Sequence, residues 1–137
     1  MLLVEDNPTD IFVIKEVLGS CGVRLNLRIA RDGQEALQYL QDLAHDENAE
    51  CPALVLLDLN LPRVPGIEVL RELRGASGCP QTPVVVVTSS LAESDRISAQ
   101  ELGAEAYFQK PTDLTLYMQL GTLIKGVLER DEKPRNP

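Results

Sequence analysis

The stretches ALVLLD (residues 53–58) and PVVVVT (residues 83–88) decide the fold of this 137-residue chain. Each is a continuous apolar run that ends in a polar residue, Asp58 in the first and Thr88 in the second. Strands that are buried on both faces of a parallel sheet are apolar throughout, whereas half-buried strands alternate apolar and polar side chains. We therefore interpret both stretches as interior strands of a parallel sheet that is covered by helices on both faces.

Three further apolar runs complete a set of five. The five runs span residues 2–4, 25–30, 53–57, 83–87 and 106–108. The second run alternates more than the others, which favours a position nearer an edge of the sheet. Segments with helical periodicity follow every run, and this alternation predicts a doubly wound α/β fold.

The helical segments carry recognisable start and stop signals. Asn7 is placed to cap a helix that begins at Pro8, and Asp32 with Gly33 forms a turn before a helix over 35–43. In the fourth helix, over 93–102, Ile97 and Leu102 are predicted to face the core. The fifth helix is predicted over 114–128.

The composition bounds the functional class. The apolar fraction is 44% and the net charge is −8, so the chain is globular and lacks the basic surface that nucleic-acid binding requires. No apolar run is long enough to cross a membrane, and we expect a cytoplasmic protein without membrane contact. We predict one domain over residues 1–128, a flexible tail over 129–137 and no output domain.

The three cysteines show no clear pattern of disulfide bonds. Cys21, Cys51 and Cys79 are odd in number and form no C-x-x-C pair. We therefore expect reduced thiols and neither a disulfide nor a zinc site.

Polar residues end four of the apolar runs. Glu5 and Asp6 follow the first, Asp58 the third, Thr88 the fourth, and Lys110 comes shortly after the fifth. Ligands of open parallel sheets bind beyond the carboxyl ends of the strands, where these residues would meet. Close carboxylates repel one another unless a cation joins them, and Mg²⁺ prefers such oxygen ligands. A carboxylate can also carry a phosphoryl group, and a metal, a lysine and a hydroxyl suit its oxygens.

Each of these residues alone has a simpler interpretation. Asp6 would cap the next helix, Lys110 would be a surface lysine and Thr88 an ordinary strand end. Their joint occurrence at one edge, in this order, favours a phosphoryl site.

Four motifs resemble the receiver domain of two-component response regulators. They are LVEDNP (3–8), LLDLNLPRVPG (56–66), VVVTS (85–89) and YFQKP (107–111). The resemblance runs from residue 2 to about residue 128. It implies a five-stranded sheet of order 2-1-3-4-5 with five helices. It also implies a domain that catalyses only its own phosphorylation and dephosphorylation.

The resemblance implies a phosphoacceptor and a metal site. Asp58 would accept the phosphoryl group. Asp6 would ligate Mg²⁺ directly and Glu5 mainly through water. Asp58 itself would also contact the Mg²⁺, and the backbone carbonyl of Asn60 would be the third protein ligand.

The resemblance also implies a switch. Thr88 would hydrogen-bond the phosphoryl group, and Lys110 would pair with it, or with Asp58 before transfer. The ring of Tyr107 would swing inward as Thr88 moves, although core packing is the simpler role for an aromatic residue. The Lys110–Pro111 bond matches a cis peptide of the family.

The resemblance suggests partners as well. A sensor histidine kinase would donate the phosphoryl group, and output would be a changed protein contact, with a homodimer through the fourth helix, fifth strand and fifth helix as one candidate. The acidic stretch 42–50 and the YFQKP motif are similar to receivers that serve phytochrome-type kinases. Pro65 before Gly66 departs from the family pattern and stiffens that loop.

Other function classes predict different residues. A receiver fold used only as a phosphorylation-independent interaction module would lack an acid, the lysine or the hydroxyl. A phosphohydrolase with an aspartyl nucleophile needs an acid where this chain has Asn60. His45, the single histidine, lies on an acidic stretch and argues against a Ser-His-Asp hydrolase. No D-x-D-x-D-G loop supports a calcium site.

Overall fold

Five parallel strands form one sheet in the order β2-β1-β3-β4-β5. The computed structural model describes residues 1–23, 26–75 and 79–132. The strands are β1 (Leu2–Val4), β2 (Arg28–Ala30), β3 (Val55–Leu57), β4 (Val84–Thr88) and β5 (Ala106–Gln109). The predicted fold class and strand order are confirmed, and β2 lies at an edge as its alternating pattern indicated. Residue 25, the predicted start of the second strand, lies outside the described residues.

Helices connect the strands and cover both faces of the sheet. They are α1 (Pro8–Ser20), α2 (Gly33–Ala44), α3 (Gly66–Arg74), α4 (Glu93–Glu101), α5 (Leu114–Tyr117) and α6 (Gln119–Glu132). Only Met118 separates α5 from α6, and its φ of −62° and ψ of −22° are helical, so the two segments take the place of the single helix predicted over 114–128. No helix in the described ranges is long and apolar enough to span a membrane.

The end of α6 bears on the predicted domain boundary. The helix continues to Glu132, four residues beyond the predicted end of the domain at residue 128. The remainder of the predicted tail, 133–137, lies outside the described residues. The division into a domain and a tail stays a prediction.

The sheet divides the core into two layers. Leu3, Leu56 and Val85 are register partners on one face, where they pack with the buried side of α1 and with Leu120 and Ile124 of α6. The residues on either side of them in each strand point to the other face, towards α2, α3 and α4. Both faces of β3 and β4 are therefore buried, which is why their sequences are apolar without alternation.

The first helix begins as the sequence predicts. The side chain of Asn7 accepts hydrogen bonds from the backbone N–H groups of Thr9 and Asp10, and Pro8 occupies the first helical position. Ile11, Ile14, Val17 and Leu18 form the buried side of α1. The cap fixes the start of α1 directly after Glu5 and Asp6.

The prediction that Ile97 faces the core is wrong. Its side chain is 46% exposed, and Ala99 is the buried residue of α4. Few apolar side chains lie along α4, so their spacing does not define one buried face, and the small Ala99 is the residue that packs into the core. Leu102, at the C-cap, is partly buried against the core as predicted.

The expectation of reduced thiols is also wrong for two of the three cysteines. Cys51 and Cys79 form a disulfide with a Cα–Cα distance of 5.7 Å, and Cys21 is a free thiol. The pairing follows from the sheet: Val55 and Val84 are register partners in β3 and β4, and the cysteines precede them by four and five residues. The disulfide lies at the amino ends of these strands.

The Lys110–Pro111 peptide bond is trans, contrary to the prediction. The trans form of an X–Pro bond is favoured by about 0.5–1 kcal/mol unless the surroundings demand the bend. Lys110 needs no such bend, because with the trans bond its ammonium already lies 3.0 Å from Asp58 Oδ2.

Candidate phosphoryl and metal site

The register of the sheet brings the predicted residues together at one edge. Val4 pairs with Leu57, so Glu5 and Asp58 leave neighbouring strands side by side. The N–H of Asp58 also donates to the carbonyl of Val4 at 3.0 Å. Thr88 ends β4 in the same layer and Lys110 follows β5. The carboxyl ends of four strands therefore converge as the sequence predicts.

Glu5, Asp6 and Asp58 form an acidic cluster. Each contributes a carboxylate oxygen, and these three oxygens lie within 4.8 Å of one another. Glu5 is 1% exposed and Asp58 is 5% exposed, whereas Asp6 is open to solvent. Burial, followed by the hydrogen bond with Asp58, raises the pKa of Glu5 to about 8. In the absence of a cation the cluster therefore holds a proton at neutral pH.

Lys110 neutralises much of this charge. Its ammonium lies 2.5 Å from Glu5 Oε1, 2.9 Å from Asp10 Oδ2 and 3.0 Å from Asp58 Oδ2. Burial lowers the pKa of Lys110, but the contacts with these three acids raise it more, so its pKa lies above the ordinary value. The lysine is therefore a fixed positive charge against Asp58.

The phosphoacceptor candidate is held by both carboxylate oxygens. Asp58 Oδ2 accepts from Lys110, and Asp58 Oδ1 accepts from the backbone N–H of Asn60 at 3.0 Å. The loop after Asp58 folds back so that Gly66 lies beside Leu59, and the N–H of Gly66 donates to the carbonyl of Leu59. A Cβ atom at Gly66 would lie 2.1 Å from the Asp58 carbonyl oxygen, so only glycine fits there.

The predicted switch residues, Thr88 at the end of β4 and Tyr107 on β5, are linked by hydrogen bonds through Ser90. Thr88 is fully buried, and its hydroxyl accepts from the N–H of Ser90 at 3.3 Å. The carbonyl of Ser90 accepts from the hydroxyl of Tyr107 at 3.3 Å. The Tyr107 ring is partly exposed, with the guanidinium of Arg96 5.2 Å from its centroid. Ser90, which the sequence reasoning did not single out, thus links Thr88 to Tyr107.

The donor set fits a divalent cation. Three carboxylates supply hard oxygen ligands, which Mg²⁺ and similar ions prefer. Among the described residues, Glu5 Oε1 is buried without a hydrogen-bond donor in suitable geometry, although the Lys110 ammonium is close to it. A cation would satisfy this oxygen and replace the proton that the cluster otherwise holds.

Asp10 is a site residue that the sequence reasoning missed. It contacts Lys110 and also accepts from the Tyr117 hydroxyl at 3.4 Å. The signal was present in the helical periodicity: Asp10, Ile14 and Val17 are spaced four and three residues apart and share one side of α1. Ile14 and Val17 are fully buried, so an acid in line with them faces the interior.

Comparison with known families agrees with this geometry. Residues 1–120 match the family model described as the response regulator receiver domain. A curated relative is the response regulator Rcp1 of Synechocystis sp., which is 41% identical over 127 residues. That alignment covers 93% of this chain and 84% of Rcp1.

Solved structures give the same result. The phosphorylated cyanobacterial phytochrome response regulator RcpA superposes with a TM-score of 0.83 at 36% identity, over 96% of this chain and 94% of RcpA. The Mn²⁺-bound form of Rcp1 superposes with a TM-score of 0.81 at 37% identity, over 99% of this chain and 96% of Rcp1.

Proposed function

The chain belongs to the response regulator receiver domain family, and from that premise we propose that Asp58 accepts a phosphoryl group from a histidine kinase and thereby switches a protein contact. The observation that carries the proposal is the position of Asp58. Its carboxylate follows the end of β3, lies 3.0 Å from the ammonium of Lys110 and belongs to the acidic cluster with Glu5 and Asp6.

In the proposed transfer step Asp58 is the nucleophile, and Lys110 and Thr88 stabilise the phosphoryl group. An oxygen of the Asp58 carboxylate attacks phosphorus as the bond between phosphorus and the imidazole nitrogen of the donor histidine breaks, so the imidazole leaves with the electron pair. Lys110 offsets negative charge on the phosphoryl oxygens, and the Thr88 hydroxyl donates to one of them. Hydrolysis of the acyl phosphate in the same site would end the signal.

The metal is proposed to be Mg²⁺. Asp6 and Asp58 would ligate it directly, Glu5 mainly through water, and the carbonyl of Asn60 would be a further ligand. Bound there, it would neutralise charge that develops on the transferring group.

The switch is proposed to run from Thr88 to Tyr107. As the Thr88 hydroxyl turns towards the phosphoryl group, Ser90 moves with it, because the two are hydrogen bonded. The carbonyl of Ser90 is the acceptor for the Tyr107 hydroxyl, so this bond would break and the ring would turn inward. This is a shift between two packings of the surface formed by α4, β5 and the predicted fifth helix, which corresponds to α5 together with α6.

That surface is the proposed site of homodimerisation. Exposed apolar side chains support it: Leu91 precedes α4, Ile97 lies on α4, and Leu114 and Leu116 lie on α5. Sedimentation with and without beryllofluoride tests this proposal. A larger species on activation is expected, and Ile97→Asp should abolish it; an unchanged mass in the wild type would contradict a phosphorylation-dependent dimer.

The kinase partner is proposed to be a phytochrome-type sensor histidine kinase in the cytoplasm. The similarity to RcpA, a cyanobacterial phytochrome response regulator, supports this partner. Phosphotransfer profiling tests this: fast transfer from phytochrome-type kinases and slow transfer from other histidine kinases is expected. Equal rates from both groups would contradict the assignment.

Beryllofluoride binding separates this function from a phosphorylation-independent interaction module. Beryllofluoride mimics a phosphoryl group on a carboxylate, so with Mg²⁺ it should shift the amide resonances of Asp58, Thr88 and Tyr107. Asp58→Asn serves as the matched control and should show no shift. An unresponsive wild-type protein would favour the interaction module.

A further inference from the structure

Asp10 is a carboxylate at the site that lies outside the acidic cluster. It is the third residue of α1, and its Oδ2 accepts from the Lys110 ammonium at 2.9 Å. Its Oδ1 accepts from the Tyr117 hydroxyl at 3.4 Å. The Asp10 side chain is 20% exposed and Tyr117 is 4% exposed. Asp10 therefore joins α1 to α5 through a contact that is largely shielded from water.

The three acids that contact Lys110 would differ in their availability to it once a cation and a phosphoryl group are bound. An ammonium has three N–H donors, and three carboxylates surround this one. Two of them, Glu5 and Asp58, belong to the cluster that fits a divalent cation. A cation there would compete for their oxygens and would repel the ammonium. Phosphorylation would then take an Asp58 oxygen away from Lys110 as well. Asp10 is the one acid of the three that neither the cation nor the phosphoryl group engages.

We propose that Asp10 is the positioning residue that keeps Lys110 at the phosphoryl site when a divalent cation and the phosphoryl group take the oxygens of Glu5 and Asp58. The inference rests on the proposed function. Asp10 acts through Lys110 and does not touch the reacting atoms. Without it, the four-carbon stem of the lysine would let the ammonium move away from the cation towards solvent.

Tyr117 restrains Asp10 in this role. Its hydroxyl donates to Asp10 Oδ1, so Oδ2 remains turned to Lys110. Its ring packs against Phe108 of β5 at a centroid distance of 5.9 Å. The position of the lysine is thereby tied to α1, β5 and α5 together.

A simpler role for Asp10 makes different predictions. An acid in the first turn of a helix stabilises the helix through its dipole. That role would leave Lys110 unaffected, and the capping itself is done by Asn7. The two roles separate in Asp10→Asn, which keeps the shape and removes the charge. Glu16→Gln, at an exposed acid of the same helix, is the matched control for net charge.

The first test observes the lysine itself and needs no phosphoryl transfer. The ammonium resonance of Lys110 is recorded in ¹H–¹⁵N spectra and assigned by its loss in Lys110→Met. In wild type and in Glu16→Gln it should persist with and without Mg²⁺. In Asp10→Asn it should persist without Mg²⁺, because Glu5 and Asp58 still hold it, and vanish with Mg²⁺. Persistence in Asp10→Asn with Mg²⁺, or loss in wild type, would overturn the proposal.

The second test measures phosphorylation by acetyl phosphate at saturating Mg²⁺. Asp10→Asn should slow the reaction roughly three- to tenfold, while Glu16→Gln stays within about twofold of wild type. In a Lys110→Met background the Asp10→Asn change should have no further effect, because Asp10 acts through the lysine. An equal slowing in both backgrounds would overturn the proposal.

A second variant keeps the inference testable if Asp10→Asn does not fold. Tyr117→Phe retains the ring and the charges and removes only the hydroxyl that restrains Asp10. It should slow phosphorylation in the same direction by a smaller factor, and an unchanged rate would contradict the restraint. If the wild type itself takes no phosphoryl group, the proposed function fails, whereas a wild-type rate in Asp10→Asn defeats this inference alone.

Discussion

Lys110 shows how single residues set the electrostatics of the site. The sequence predicted that Glu5 and Asp58 would meet a lysine at the strand ends, because register alone places them there. It did not predict Asp10, since that contact depends on how α1 rotates against the sheet. The trans geometry of the Lys110–Pro111 bond could not be predicted either, because the cis and trans isomers of an X–Pro bond are similar in free energy.

The raised pKa of Glu5 predicts how stability depends on pH in EDTA. The unfolded chain releases the Glu5 proton near pH 4.5 and the folded protein near pH 8. The folded state therefore holds a proton that the unfolded state has lost. The stabilising effect is complete below the lower value and is lost as pH rises to the upper one. The free energy of unfolding should fall over this window by at most about 1.4 kcal/mol per pH unit.

Glu5→Gln isolates this effect from other titrating groups. The variant cannot release a proton at residue 5, so its unfolding free energy should be flatter than that of wild type between pH 5 and pH 8. Urea unfolding at several pH values measures both proteins. Parallel curves would show that Glu5 is ionised throughout the range.

Elements differ in how far their sequences define them. The strands β3 and β4 were predictable because burial on both faces leaves a continuous apolar signature. The helix α4 was predicted in position but not in orientation, since Ala99 rather than Ile97 faces the core. The close approach of Gly66 to the backbone of Asp58 and Leu59, just after β3, has no periodic signal, because it depends on the absence of a side chain.

Gly66→Ala tests that close approach. The added Cβ would lie 2.1 Å from the Asp58 carbonyl oxygen, so the start of α3 or Asp58 itself must shift. We expect a loss of about 1–3 kcal/mol in the free energy of unfolding and slower phosphorylation.

Gly126→Ala is the control for this substitution. Gly126 lies within α6, and a Cβ there would meet nothing within 4 Å. Alanine should therefore stabilise the protein by about 0.5–1 kcal/mol without changing phosphorylation. If both variants behaved alike in urea unfolding, the packing of Gly66 against Asp58 would be refuted.

In the whole molecule the candidate site and the disulfide lie at opposite ends of the strands. The site occupies the carboxyl ends of the strands, and the Cys51–Cys79 disulfide ties the segments before β3 and β4 at the opposite end. An odd number of cysteines without a C-x-x-C pair concealed this bond. The predicted strand order already made β3 and β4 neighbours, but the bond also depends on Cys51 and Cys79 lying at similar distances before the two strands.

Reduction of the disulfide should lower stability without altering the site. The bond joins residues 28 apart in sequence, and loop closure of this length accounts for about 3–4 kcal/mol. Urea unfolding with and without a reductant should differ by about this amount in wild type and in Cys21→Ser. In Cys51→Ser the reductant should have no effect. Equal stability of oxidised and reduced wild type would contradict a stabilising role.

Phosphorylation of Asp58 is the central claim, and intact-protein mass spectrometry tests it most directly. Wild-type protein incubated with Mg²⁺ and acetyl phosphate should gain the mass of one phosphoryl group, and omission of Mg²⁺ or the Asp58→Asn substitution should abolish the gain. No added mass on wild type, or equal labelling of Asp58→Asn, would contradict the account.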